Sequence, residues 1–214
     1  MLHDRDIREP LFAFLEQRYG KIRILEEKTM GRSRADIVMV TPGELLGIEI
    51  KSDADGYTRL SRQVRDYDRY FDRNFCVVGV SHAAHIEEHL PQYWGIITAE
   101  ALEDGSLDFY VAREPQTNPQ MEEERKISLL WRRELNHLLS RNALPAYAGK
   151  SKKSVCQILL ERVHPDELAW QLTDELFERD YTTIEQEISD YRAAHGDKPK
   201  GKRKRKKRAA KAAR

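Results

Sequence analysis

The chain has 214 residues, 40% hydrophobic and 34% charged, enough for one domain of ordinary size with a buried core plus a smaller appendage. No apolar run approaches bilayer-spanning length and the charged opening MLHDRDIREP contains no apolar leader, so a soluble, cytoplasmic protein with no membrane partner is expected. The net charge of +1 hides an asymmetry: residues 198–214 hold eleven Lys or Arg and no acid, which leaves 26 of the 37 basic residues against all 36 acids elsewhere, a net charge of −10.

In chain order, Leu11, Phe14 and Leu15 recur at helical spacing up to Arg18, with Asp4 and Asp6 as upstream cap candidates and Gly20 as a stop. Apolar, β-branched runs around Ile22–Glu27, Ile37–Val40 and Leu45–Ile50 read as three strands of a meander, broken at Gly31 and at Pro42-Gly43. Leu60, Val64, Tyr67 and Phe71 then mark one helix face, and the strand Phe75–Val80 follows a connection long enough for parallel pairing. A short helix at Ile86–Leu90 and strands at Trp94–Thr98 and Leu107–Val111 complete the first part. The expected organisation is a domain over 1–112, a polar, proline-bearing linker over 113–122, a helical unit over 123–195 and a disordered basic tail over 196–214. Cys76 and Cys156 are isolated in apolar patterns and read as buried free thiols.

The most informative stretch is RADIVMVTPGELLGIEIKSD, with Asp36, Glu49 and Lys51 at the spacing D-x12-E-x-K. Side chains alternate along a strand, so Ile48 and Ile50 enter a core while Glu49 and Lys51 project together to the other side. Carboxylates suit a hard divalent cation, and an adjacent ammonium offsets charge that grows on a phosphate in a hydrolytic transition state. Gln63 and Tyr67, four apart on the next helix, share a face and can address one substrate. Tyr67 also lies on the apolar stripe with Leu60, Val64 and Phe71, where packing alone accounts for it.

D-x12-E-x-K followed by Q-x-x-x-Y resembles the PD-(D/E)xK restriction-endonuclease-like superfamily, in particular its RecB-like branch and the MmcB-like DNA-repair endonucleases, over roughly residues 1–112. Ala35 stands where the eponymous motif has proline, a position that carries no chemistry. The resemblance implies an α/β fold, with a mixed central sheet flanked by helices and a small C-terminal helical domain. It implies hydrolysis of DNA phosphodiester bonds with Mg2+ or Mn2+. Asp36 and Glu49 would be metal ligands, the Ile50 carbonyl a third, Lys51 the catalytic lysine, and Gln63 and Tyr67 auxiliary residues. Members often add an earlier glutamate; Glu9, Glu26 and Glu27 are available, only one of the last two can face the site, and Glu27 is preferred. Arg34, Ser52 and Asp53 flank the motif, where they either touch phosphate or hold the loop.

The stretch LLWRRELNHLLSRNALPAYAGKSKKSVCQILLERV resembles a SAP-type helix–loop–helix, in which Lys150, Lys152 and Lys153 beside a helix start would meet the DNA backbone; an ordinary helical hairpin fits as well. The tail, with Lys202, Arg203, Lys204, Arg205, Lys206, Lys207 and Arg208, is expected to attract nucleic acid through charge. Two rival motifs are weaker. His85-Ile-Glu-Glu88-His89 matches the zinc pattern H-x-x-E-H without a third ligand, and Gly149-Lys150-Ser151 lacks the upstream glycine of a phosphate-binding loop. A non-catalytic binding or interaction module on the same scaffold is the alternative to a nuclease.

Overall fold

A computed structural model describes residues 2–53 and 55–179. Met1–Glu178 forms one compact unit; the second, Arg179–Arg214, lies outside the described residues except for Arg179, and with it the end of the helical unit expected over 123–195 and the basic tail. The order is α1 (Asp4–Tyr19), β1 (Arg23–Met30), β2 (Ser33–Thr41), β3 (Glu44–Lys51), a 3-10 turn (Tyr57–Arg59), α2 (Leu60–Asp68), β4 (Arg73–Gly79) and α3 (Val80–Ala83). A second 3-10 turn (Ile86–His89), β5 (Gly95–Ala101), β6 (Leu107–Arg113), α4 (Glu123–Ile127), α5 (Arg132–Arg141), α6 (Lys152–Arg162) and α7 (Pro165–Phe177) follow. The six strands form one mixed sheet in sequence order. β1, β2 and β3 are an antiparallel meander, β3–β4 and β4–β5 pair parallel across helical connections, and β6 returns antiparallel.

Both faces of the central strands are covered. Ile37, Met39, Ile48, Ile50, Phe75 and Val77 meet Ile7, Leu11 and Leu15 of α1. The opposite face, with Val38, Val40, Leu45, Cys76 and Val78, packs under α2 and α4–α7. Each fully buried aliphatic side chain contributes about 1.5–3 kcal/mol. The side of β3 that carries Glu49 and Lys51 is therefore buried too, under the helices of the opposite face. α1 also begins earlier than the periodic run from Leu11. The helix runs back to Asp4 with Pro10 inside it, and the extra turns are held by an Asp4–Arg8 pair at 2.9 Å and by the Asp6 carboxylate accepting from the His3 N–H.

Segment 113–122, expected as a linker, is tied to the sheet. Asn118 is buried and its amide donates to the carbonyls of Asp68 and Phe71, both at 2.7 Å. Lys126 of α4, 1% exposed, pairs with Asp72 at 2.7 Å, and the other Asp72 oxygen accepts from the Leu45 N–H. The C-terminal helices thereby share the core of the sheet domain. Both cysteines are buried free thiols. Ile86–His89 forms a 3-10 turn that His85 precedes, so the two imidazoles lack the shared α-helical face that H-x-x-E-H needs; His85 is exposed and the His89 ring lies tilted against Tyr57. Among the described residues no helix is long and apolar enough to cross a membrane.

Gly47 sets how closely α2 approaches β3. A Cβ there would lie 2.3 Å from the Phe71 ring and 2.6 Å from the Tyr67 ring. Both rings belong to the core and fill the space directly over the strand backbone. Gly47→Ala is expected to lift α2 and destabilise the fold by about 1–3 kcal/mol, read as a lowered urea midpoint at constant m-value.

Candidate active site

The site forms where β2 and β3 part. Their ladder ends at the Ile37–Ile48 pair. Beyond it the Asp36 carboxylate accepts the Ile50 N–H at 2.9 Å, replacing a ladder bond with a side-chain bond. The Tyr67 hydroxyl sits in the fork. It accepts the Asp36 N–H at 3.1 Å and directs its single proton between the Glu49 carboxylate at 2.8 Å and the Ile48 carbonyl at 3.1 Å. Tyr67 is fully buried against Phe71 and Trp94, so packing and site geometry are both served by one side chain that meets no solvent. Burial first, and then the Glu49 and Asp36 charges, hold its phenol well above the ordinary range, which keeps it a neutral donor.

Glu49 and Lys51 are almost sealed, with side chains 1% and 5% exposed and 2.7 Å apart. Gln63 bridges them: its carbonyl accepts from the Lys51 ammonium at 3.0 Å and its amide donates to Glu49. Asp36, Glu49, Ile50, Lys51 and Gln63 all line one cleft of about 340 Å³. The five residues expected to cooperate are thus together, with Tyr67 behind them.

The flanking residues divide. Arg34 lines the cleft, is 64% exposed and pairs with Glu27 at 2.5 Å. Glu27 lies on β1 between the Glu26–Ile37 and Lys28–Ala35 pairs, at a left-handed φ of 54°. Its oxygens are engaged by Arg8 and Arg34, so it holds arginines instead of completing the acidic pair. Glu9 is exposed on α1 and Glu26 pairs with Arg8. Ser52 is buried and bonds to Asp55 through both its N–H and its hydroxyl, a loop-holding role. Asp53 accepts from the Leu2 N–H and the Ser81 hydroxyl. Lys152 donates to the Ser128 carbonyl at 2.7 Å. Lys152 and Lys153 line a separate cleft of about 410 Å³ between α4 and α6, and Lys150 is exposed nearby in the chain. Lys202, Arg203, Lys204, Arg205, Lys206, Lys207 and Arg208 lie outside the described residues.

Two site residues escape the sequence reading. Asp4 lines the cleft, and one of its carboxylate oxygens is buried without a hydrogen-bond partner. Arg8 reaches Asp4, Glu26 and Glu27 within 3.1 Å and Asp36 at 3.7 Å. Burial works against the Arg8 charge, yet its bond to Asp4 and the surrounding acids hold the guanidinium above its ordinary pKa. A signal existed: Asp4 and Arg8 continue the apolar stripe of Leu11 and Leu15 at helical spacing, and charges on a core-facing stripe need partners. The periodic run read as a helix starts only at Leu11, which leaves Asp4 as a cap candidate and Arg8 unread.

The electrostatics suit a cation. The Asp36 carboxyl is pushed up to about 7 by burial and then by Glu49 and Asp4, against the pull of the Ile50 N–H and Arg8. Two carboxylates that raise each other's cost of ionisation gain when a divalent ion lies between them. Within a strand residue the N–H and C=O point to the same side, so the Ile50 carbonyl faces the same gap as Asp36. Two carboxylates and a carbonyl are the oxygen donors Mg2+ or Mn2+ accepts, with water and phosphate completing its shell, and the residues present fit such an ion. Among the described residues no group of three His, Cys, Asp or Glu side chains gathers to hold a metal.

Comparison with known proteins finds the family described as Bacteriophage P4 protein cII matching residues 2–191. No curated protein matches the chain. The solved structure of Pyrococcus furiosus SfsA in complex with Ca2+ is similar at 13% identity and a TM-score of 0.31, over 52% of this chain and 60% of that one, a likeness that carries no argument about fold or activity.

The raised Asp36 carboxyl sets a pH dependence. An unfolded aspartate titrates near 3.9, so between about pH 4 and 7 the metal-free native state holds a proton that the unfolded chain has released. This stability is complete below about pH 4 and lost as pH rises through about 7, amounting to on the order of 4 kcal/mol. Urea midpoints of metal-free protein across this range are expected to fall, and Asp36→Asn is expected to remove most of the fall.

Proposed function

The chain belongs to the bacteriophage P4 protein cII family, and from its cleft we propose that this protein is a metal-dependent nuclease that hydrolyses DNA phosphodiester bonds on a restriction-endonuclease-like sheet. The observation that carries the reading is the convergence of Asp36, Glu49, the Ile50 backbone and Lys51 on one cleft at the point where two central strands part. It gives physical content to the resemblance of D-x12-E-x-K to the PD-(D/E)xK superfamily.

Asp36, Glu49 and the Ile50 carbonyl would hold Mg2+ or Mn2+, which when bound supplies Lewis acidity and a water acidified toward neutrality. The remaining work falls to the chain. Lys51, held by Glu49 and Gln63, presents its ammonium to the phosphate oxygens, where negative charge grows as the water oxygen attacks. Tyr67 fixes the rotamer of Glu49, and Arg8 balances the charge of Asp4, Glu27 and Asp36. Burial of this group lowers the local dielectric and strengthens each of these interactions.

A second reading has one observation in its favour. The Lys51–Glu49 pair is nearly sealed and mutually satisfied, as in a structural ion pair, which suits a non-catalytic nucleic-acid-binding module on the same scaffold. Cleavage decides between them.

Purified protein is expected to cut at least one member of a panel of labelled single-stranded, duplex and branched DNAs with Mn2+ or Mg2+, and to be inactive in chelator. Lys51→Ala is expected to lower single-turnover cleavage by 100-fold or more with little loss of DNA affinity. Asp36→Ala and Glu49→Ala are expected to abolish Mn2+ binding in calorimetry. Unchanged Mn2+ affinity in both carboxylate variants would remove the nuclease reading, and tight binding with no cleavage of any substrate would favour the binding module.

The basic tail is assigned to general phosphate attraction. Deletion of residues 197–214 is expected to weaken DNA binding steeply at low salt and flatten its salt slope, while the cleavage rate at saturating DNA persists. Polarisation titrations at several salt concentrations measure the first, and single-turnover assays the second.

A further inference from the structure

Three arginines that line the cleft have no partner among the described residues. Arg32, Arg59 and Arg62 line it, all are exposed, and none forms a hydrogen bond or ion pair with a described residue. Two other arginines near the site behave differently: Arg8 and Arg34 are spent on carboxylates. These two neutralise acid, and Arg32, Arg59 and Arg62 remain available to a ligand.

These three are held on a latched frame. Arg32 occupies the tight turn between β1 and β2. That turn is fastened to α2, because the Tyr70 hydroxyl accepts the Gly31 N–H at 3.1 Å and the Ser33 hydroxyl donates to Asp66 at 2.5 Å. Arg59, Arg62, Gln63 and Asp66 follow at i, i+3, i+4 and i+7, so one face of α2 and the turn before it carries two free guanidinium groups beside the residue that bridges Lys51 and Glu49. One face of one element therefore addresses the catalytic group, the three arginines and the hairpin latch.

We propose that Arg32, Arg59 and Arg62 form a phosphate clamp that binds the backbone phosphates neighbouring the phosphodiester at Asp36, Glu49 and Lys51, which makes the substrate a polynucleotide; the identity of the central phosphate as the scissile one rests on the nuclease reading. Guanidinium groups suit this task, since they stay charged and offer forked donors to phosphate oxygens. Phosphate contacts position a nucleic acid without reading its bases, so the clamp confers register and no sequence preference.

The test uses the full chain and measures binding apart from turnover. Anisotropy with a labelled duplex and with a single strand of equal length, in chelator and across salt concentrations, compares wild type with the triple variant Arg32→Gln/Arg59→Gln/Arg62→Gln. An equal-charge control replaces the remote Lys21, Arg141 and Arg162 by Gln, and a triple Arg→Lys variant restores charge. The clamp predicts at least tenfold weaker binding for the Gln triple and a salt slope smaller by about 3 on duplex or about 2 on a single strand, whichever form is the ligand, with the slope restored by Lys and unaffected in the control. With Mn2+, the Gln triple is expected to lose kcat/KM on DNA through KM and to keep its rate on bis(p-nitrophenyl) phosphate, which has no neighbouring phosphate. Unchanged affinity and slope, or an equal loss in the control, overturns the clamp even if cleavage is seen. Loss of binding in a protein that cuts nothing leaves the clamp standing as a polynucleotide site and overturns the nuclease reading alone.

Discussion

The hydroxyl of Tyr67, wedged between two parting strands, is the contact on which the rest of the site depends. An antiparallel ladder that continued past Ile37 and Ile48 would have closed the space where the carboxylates gather. The phenol takes up the Asp36 N–H and the Ile48 carbonyl in its place, so the fork is held open without stranding backbone polar groups. It can do so only because Gly47 lets α2 lie directly on β3. A packing constraint on one glycine becomes, two residues along the same strand, the orientation of Glu49.

Charge is the second constraint. Glu49 and Asp4 both oppose ionisation of Asp36 at the cleft, and an unpaired buried carboxylate there would cost several kcal/mol. Arg8, Lys51 and Gln63 offset part of that cost. The offset is incomplete: Asp36 resists ionisation and one Asp4 oxygen is buried without a partner. The left-handed backbone at Glu27 adds local strain of about 1–3 kcal/mol. The repulsion between Asp36 and Glu49 is the physical ground on which the two are proposed as ligands of a cation.

The helical C-terminal part belongs to the same core. Lys126 on Asp72 and Asn118 on the end of α2 fasten 113–130 to the elements that carry the site, so the helices buttress α2 from behind. Asp68 on α2 is likewise held by Tyr93, Trp94 and Asn74. The C-terminal end of α2 is therefore held from two sides, by these contacts and by the β1–β2 hairpin, which suits a helix that positions Gln63 and Tyr67 together.

What the sequence by itself determined was local and periodic. Alternation and helical spacing placed the strands, α2 and the shared side of Glu49 and Lys51, because each follows from backbone geometry within a few residues. It also brought Asp36, Glu49, Lys51, Gln63 and Tyr67 into one list through the spacing of a motif. The tertiary structure decided everything that depends on partners distant in the chain. Asp4 was read only as a helix cap and Arg8 not at all, because their places are fixed only when α1 packs across the end of the sheet. Polar composition marked 113–122 as a linker, while its buried Asn118 answers to carbonyls 47 and 50 residues away. Glu27 was a sound candidate by parity, and only the approach of Arg8 and Arg34 engaged its two oxygens, since a side chain's charge partners are set by packing and not by its own strand.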